Sequence, residues 1–344
     1  LKNKIKPFLI GGLVLFAIAA VFVYVQFFAG VVQMAAKETY ITIPTGSNFV
    51  DVQQIMKPYL KSESGFNQMA KLRKYDQNVK AGRFLLQNGM GSFTLVQSLR
   101  KNVPVKLAFN NQERLEDLCI RLSSQLEPDT TKFLNTFRDG IFLRENNFNK
   151  ETVFAMFIPN SYEFYWNVTA EKFRDKMIAE YRKFWNEDRI KKAKKLGLSP
   201  VEVITLASIV QKETVKADER PIVAKTYLNR LEVGMPLQAD PTVIYSKKLR
   251  DNDFTQIIKR VLYDDLLLNS PYNTYRIVGL PPGPIAMPDV SAIDAVLNPD
   301  GNDYIYFCAS VERFGYHEFA ATYSQHQVNA KKYSEWLNNQ GTLR

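Results

Sequence analysis

The apolar and polar positions divide the chain into one uninterrupted apolar run near the start and a long mixed region after it. Residues 8–28 carry no charge and are rich in Leu, Val, Ile, Phe and Ala. As a helix rising roughly 1.5 Å per residue they span roughly 30 Å, one bilayer hydrocarbon core. Lys2, Lys4 and Lys6 precede the run, and the next charge is Lys37. The positive-inside rule then puts residues 1–7 in the cytoplasm and the chain beyond about residue 35 outside it. A retained single-pass anchor is favoured over a cleaved signal peptide. The apolar core of a signal peptide is shorter and ends at a small-x-small site, and no such site is convincing here.

Beyond the anchor, residues 38–103 read as a small α/β unit. Alternation in Thr39-Tyr40-Ile41-Thr42-Ile43 predicts a strand. Pro44-Thr45-Gly46-Ser47 predicts a turn, with Ser47 as N-cap of a helix over 49–60. A helix over 65–74, a strand over 82–86 and a helix over 92–101 follow. The unit is the size of a carbohydrate-binding module, and equally that of a spacer. Residues 104–340 form the larger, mixed α/β domain, so the class is α+β. In and around it the pattern predicts a strand over 103–109 and helices over 114–126, 132–139 and 171–196. The basic residues of the last helix read as a solvated face. Phe157 to Trp166 concentrates aromatic rings around Pro159-Asn160-Ser161-Tyr162. Such rings either stack on sugars or pack a core.

The densest chemical signal lies in residues 199–245. Ser199-Pro200-Val201-Glu202 is a capping box with proline at the first helical position. Leu206, Ile209 and Val210 mark an apolar face, and Glu213 follows at helical spacing on that face. Burial and the negative end of a helix dipole both disfavour a carboxylate, so both raise its pKa toward that of a general acid. The alternative is a buried glutamate in an ion pair with Arg230 or Lys225. A helix over 221–233 ends at Gly234. The Pro-rich segments 235–245, 269–275 and 279–284 carry Gln238, Asp240, Thr242, Tyr272, Asn273 and Tyr275. They suit either a hydroxyl-rich extended ligand or structural turns.

Composition narrows this picture. With 46% hydrophobic and 23% charged residues the chain has a real core, and 344 residues exceed one ordinary domain. The net charge of +10 fits either an acidic surface or plain solvation. The positives are scattered, so no nucleic-acid partner is expected. Cys119 and Cys308 lie in no metal-ligand spacing and are expected to be separate small buried residues rather than a pair. His317 and His326, the two histidines, are too far apart for one helical metal site, and no metal or cofactor is expected. Motifs for serine hydrolases, nucleotide binding and zinc proteases are absent.

Ala207-Ser208-Ile209-Val210-Gln211-Lys212-Glu213-Thr214, Leu237-Gln238-Ala239-Asp240-Pro241-Thr242-Val243-Ile244-Tyr245, Ser270-Pro271-Tyr272-Asn273-Thr274-Tyr275 and Gly279-Leu280-Pro281-Pro282-Gly283 occur in this order. Together they resemble the MltG (YceG-like) family of endolytic murein transglycosylases. His317-Glu318-Phe319 and His326 also match a family pattern. The resemblance implies an N-terminal transmembrane helix, a LysM-like subdomain over 38–103 and a catalytic domain over 104–340. It implies cleavage of the β-1,4 bond between N-acetylmuramic acid and N-acetylglucosamine within a strand, leaving a 1,6-anhydro end. Glu213 takes the catalytic position. Gln238, Asp240, Thr242, Tyr272, Asn273 and Tyr275 become candidates for holding the glycan. Gln211 stands where the family often has Glu, which argues against an essential role. Asn160 and Ser161 depart from a family Pro-Asp/Glu-Thr-Tyr motif. Implied partners are peptidoglycan strands, the cytoplasmic membrane and peptidoglycan synthases. Two other readings remain: a muramidase-type hydrolase using Asp240 or Glu219 as second carboxylate, and a non-catalytic wall-binding scaffold.

Overall fold

The structure, a computed structural model, describes residues 2–109 and 112–339, with the backbone alone for residues 2–9 and 26. Helix α1 spans Lys2–Phe27, and its side chains from Ile10 to Val25 are exposed. Among the described residues no helix is both long and apolar enough to cross a membrane. The side chains of the expected cytoplasmic segment, 1–7, and of the start of the expected span at 8–28 lie outside the described residues.

The chain divides into two compact units, one of Leu1–Leu107, Ser123–Pro128 and Tyr162–Thr169, the other of Ala108–Leu122, Asp129–Ser161 and Ala170–Arg344. In the first, strand β1 (Glu38–Ile43) is followed by helices α2 (Phe49–Met56) and α3 (Glu63–Leu72), strand β2 (Gly82–Gln87) and helix α4 (Ser92–Ser98). β1 and β2 pair antiparallel, from Glu38 opposite Gln87 to Ile43 opposite Gly82. The cap of α2 is Asn48 rather than Ser47. Its side chain accepts from the N–H groups of Val50 and Asp51, and Asp51 accepts from the Asn48 N–H at 2.8 Å. The expected helix to residue 60 stops at Met56, because Pro58 cannot continue the ladder, and Lys57–Tyr59 form a 3-10 turn. Ile43, Met56, Phe66, Phe84 and Leu95 are sealed in this unit's core.

Strand β3 (Pro104–Phe109) leads into helices α5 (Leu115–Ser123), α6 (Thr130–Phe137) and α7 (Gly140–Glu145), then strand β4 (Asn160–Tyr165). β3 pairs with β4. The aromatic segment around Pro159 is largely core. Phe157, Tyr162 and Phe164 are buried, and Phe157 meets Phe137 edge-on at 5.0 Å. The expected single helix over 171–196 is two, α8 (Ala170–Phe184) and α9 (Glu187–Lys195). Asn186 between them caps α9 by accepting the Arg189 N–H at 3.0 Å. A short polar side chain there competes with the helical ladder.

The second unit is built around α10 (Pro200–Glu213), which packs against α11 (Arg220–Glu232), α12 (Asp240–Asp251) and α14 (Val290–Leu297). Residues 240–245, expected as loop, begin α12, with Pro241 in its first turn. The short α13 (Tyr263–Leu266) lies between α12 and α14. The chain then forms the antiparallel hairpin of β5 (Tyr306–Ala309) and β6 (His317–Ala320), followed by α15 (Tyr323–Asn339). Cys119 in α5 and Cys308 in β5 are free thiols. The described architecture is thus mixed α and β, helices around three two-stranded sheets.

Candidate active site

The site begins with the way α10 ends. Its start is locked by the expected capping box. Ser199 Oγ accepts the Glu202 N–H at 3.3 Å, and the Glu202 carboxylate accepts the Ser199 N–H at 2.8 Å. The expectation of one apolar face needs correction, because every residue from Val203 to Val210 is buried. The helix runs through the core, and Glu213 is its last residue, half-buried where it emerges. Ser208 Oγ donates to the Thr205 carbonyl at 2.7 Å and accepts the Ile285 N–H at 3.0 Å, which ties α10 to the segment after Pro284. Gln211 accepts the backbone N–H of Asp289, the residue that precedes α14.

One hydrogen bond defines the Glu213 carboxyl. The Tyr227 hydroxyl, from buried Tyr227 of α11, donates to Oε2 at 2.9 Å. Among the described residues Oε1 accepts no hydrogen bond and no cation pairs with the group. The ion-pair alternative therefore does not describe this site. The Arg230 guanidinium is taken up by the carbonyls of Ile305, at 2.6 Å, and Leu237. Lys225 lines a different cleft. Burial pushes the Glu213 pKa above the ordinary carboxylate range, and nearby Asp240 adds to this. The Tyr227 hydrogen bond and the charges of His317 and Arg230 oppose it without reversing it. Burial first, then Glu213, also drives the Tyr227 phenol well above its usual pKa, so Tyr227 stays a donor.

Glu213 opens into a cleft of about 480 Å³. Its lining includes Gln238, Asp240 and Tyr275 together with Tyr306, His317, Tyr323 and His326. The Tyr275 hydroxyl donates to Asp240 Oδ1 at 2.7 Å. Gln238 sits at φ 49°, a left-handed conformation uncommon for glutamine, and its N–H donates to the Thr274 carbonyl at 3.0 Å. Strained backbone of this type collects at functional sites. His317 is held by buried Glu219, which accepts its backbone N–H at 2.7 Å and contacts its Nδ1 at 2.9 Å. A larger cleft, about 940 Å³, lies at the opposite end of α10, and its Glu202 is committed to the capping box. Size is therefore a poor guide to the chemistry here.

Of the six glycan-holding candidates, Gln238, Asp240 and Tyr275 share the cleft with Glu213. Thr242 is fully buried; its Oγ1 donates to the Ala239 carbonyl at 2.7 Å and accepts the Thr274 N–H at 3.2 Å. Asn273 is buried too, and its amide donates to the carbonyls of Leu266 and Leu268. Tyr272 packs against Tyr245, with ring centroids 4.8 Å apart, beside another cleft. These three hold the loops that present the others. Sequence reasoning missed Tyr227, whose place among the apolar residues of α11 makes it look like core. It also missed Glu113, which accepts from Lys212 and Lys248, each at 2.7 Å. Burial would raise the Glu113 pKa, but the two lysines win and hold it below the usual range.

A single half-buried carboxyl with a raised pKa, one donor behind it and an open cleft before it, can give and take one proton. The chain belongs to the YceG-like family, whose sequence pattern matches residues 41–332. It is 30% identical to the endolytic murein transglycosylase of Bacillus subtilis, over 92% of this chain and 91% of that protein. It is 28% identical to the endolytic murein transglycosylase of Streptococcus pneumoniae D39, over 80% of this chain but 55% of the longer pneumococcal protein. The crystal structure of a YceG-like protein from Listeria monocytogenes superposes with a TM-score of 0.55 at 26% identity, covering 85% of this chain and 98% of that one.

Proposed function

We propose that the chain is an endolytic murein transglycosylase that cleaves the β-1,4 bond between N-acetylmuramic acid and N-acetylglucosamine within glycan strands. The observation that carries this reading is the Glu213 carboxyl, poised to be protonated and unpaired on Oε1. Protonated Glu213 gives its proton to the glycosidic oxygen as the C1–O bond breaks. The resulting carboxylate takes the proton of the muramyl C6 hydroxyl, whose oxygen closes on C1. One carboxyl serves both steps and no water is consumed, unlike the two-carboxylate glycosidases. Gln238, Asp240 and Tyr275 hold the strand in the cleft, while Thr242, Tyr272 and Asn273 keep their loops in place.

The rest of the reading follows from the chain's layout. Residues 8–28 anchor it in the cytoplasmic membrane with 1–7 inside, supported by the uncharged run and by the exposure of its side chains from Ile10 to Val25. Residues 38–103 form a LysM-like subdomain, supported by the strand-helix-helix-strand order with antiparallel strands. Residues 104–340 form the catalytic domain, outside the cytoplasm, where peptidoglycan synthases are the expected neighbours.

The hydrolase alternative has lost one of its carboxylates, because both Glu219 oxygens are committed to His317. Asp240 is left, and it lies in the cleft. Mass spectrometry of digested glycan separates the readings. Anhydro ends support transglycosylation, ends about 18 Da heavier support hydrolysis, and intact strands support a scaffold.

A pH profile tests the Tyr227 contact. That hydrogen bond lowers the Glu213 pKa against the burial that raises it, with His317 and Arg230 on the same side and Asp240 on the other. Tyr227→Phe removes one lowering contribution, so the folded-state pKa rises further. Because Glu213 must start protonated, the alkaline limb of the rate profile should move to higher pH. A limb that stays in place or moves down contradicts the assignment.

A further inference from the structure

Helix α15 carries Tyr323, His326, Tyr333 and Trp336 at spacings of three and seven residues, which aligns them along one side of the helix. An aromatic stripe at this spacing ordinarily seals a core. Here the one buried residue among those described in α15 is Asn329. Tyr323 is 59% exposed and Trp336 38%. The stripe instead faces the Glu213 cleft, whose lining includes Tyr323, His326 and Tyr333 together with Tyr306 of β5.

The rings form a bent wall. Tyr306 and His326 are stacked at 5.2 Å with 17° between their planes. Tyr323 tilts 55° against Tyr306 at 5.7 Å. Burial first, and then the nearby Arg230, lower the His326 pKa, so this imidazole is an uncharged aromatic surface at neutral pH. The same cleft is lined by Gln238, Asp240 and Tyr275, which offer amide, carboxylate and phenol groups. A pyranose ring has an apolar C–H face and a rim of hydroxyl and acetamido groups. A cleft lined by both an aromatic surface and polar groups matches both parts. An apolar peptide segment would leave those polar groups unpaired, at a desolvation cost.

We propose that Tyr306, Tyr323 and His326 form a sugar-stacking subsite that continues the Glu213 cleft and holds one N-acetylated hexose ring of the strand beside the bond to be cut. This rests on the glycan-cleaving reading above. It assigns the hairpin and α15 a direct part in choosing where along the strand cleavage falls.

Binding by the full chain carrying Glu213→Gln tests it. The probe is a tetrasaccharide of alternating N-acetylglucosamine and N-acetylmuramic acid, measured by isothermal titration calorimetry. Adding Tyr323→Ala, at an exposed position where folding is insensitive, should weaken binding by about tenfold, the scale of one lost aromatic contact. Tyr323→Trp, which keeps a stacking face, should restore it. In the active enzyme Tyr323→Ala should raise KM more than it lowers kcat and shift the lengths of released fragments. Unchanged binding on Tyr323→Ala, with the tetrasaccharide still bound by Glu213→Gln alone, overturns the subsite and leaves the glycan reading standing. Failure of Glu213→Gln itself to bind the tetrasaccharide overturns both.

Discussion

Glu213→Gln should lower the rate of strand cleavage by about 10²–10⁴-fold, the range for losing a general acid–base group, while the protein stays folded. Gln retains a carbonyl oxygen for the Tyr227 hydroxyl, so the contact at Oε2 has a replacement. The same variant has a signature in stability. Burial raises the Glu213 pKa in the folded protein. The folded state therefore binds the proton more tightly than the unfolded chain. Its contribution is fully present below the unfolded value of about 4.3 and is lost as pH rises through the folded pKa. Gln never ionises and escapes that loss. Thermal melts should show Glu213→Gln gaining on wild type as pH rises from about 4. A variant that remains fully active would overturn Glu213 as the acid–base group, and one that loses stability relative to wild type on going to alkaline pH would count against the burial argument.

Gly283→Ala should destabilise the second unit by about 1–3 kcal/mol, and by more if the loop cannot yield. A Cβ at Gly283 would sit 2.2 Å from the Glu151 carbonyl oxygen and 2.9 Å from its carbon. Both are backbone atoms, so no side chain can swing aside. The displaced segment leads to Ile285, whose N–H donates to Ser208 Oγ inside α10. The clash thus reaches the helix that carries Glu213, and activity should fall along with the melting temperature. At Gly46, by contrast, a new Cβ meets nothing within 4 Å. Differential scanning calorimetry checks the size, and an unchanged melting temperature would mean that the loop does not approach Glu151 this closely.

The parts of the fold legible in the sequence are those written in local chemistry. Ser199, Pro200 and Glu202 spell out a helix start, and α10 begins there. Glu213 was visible as a carboxylate at helical spacing from Leu206, Ile209 and Val210. Its burial has a different origin, because the entire middle of α10 is enclosed and no single face is responsible. The segments holding the candidate ligands were legible as segments, but the direction of each side chain was not. Thr242 and Asn273 are hydroxyl and amide groups like those of a sugar site, yet they satisfy backbone groups in the interior. Linear order does not tell a polar side chain that clamps a loop from one that meets a ligand. The break at Asn186 was hidden by the charged pattern that continues through it. The hairpin of β5 and β6 was hidden by its length, since four-residue strands carry too little alternation to stand out. With it went part of the cleft lining, including the His317 pairing with Glu219.

The central claim is that one carboxyl cleaves the strand without water. Digesting purified glycan in water enriched in oxygen-18, with wild type beside Glu213→Gln, tests it most directly. Wild type should give ends lacking the mass of water and carrying no oxygen-18, and Glu213→Gln should give essentially none of them. One oxygen-18 atom in each new reducing end from wild type would make the enzyme a hydrolase and contradict the account.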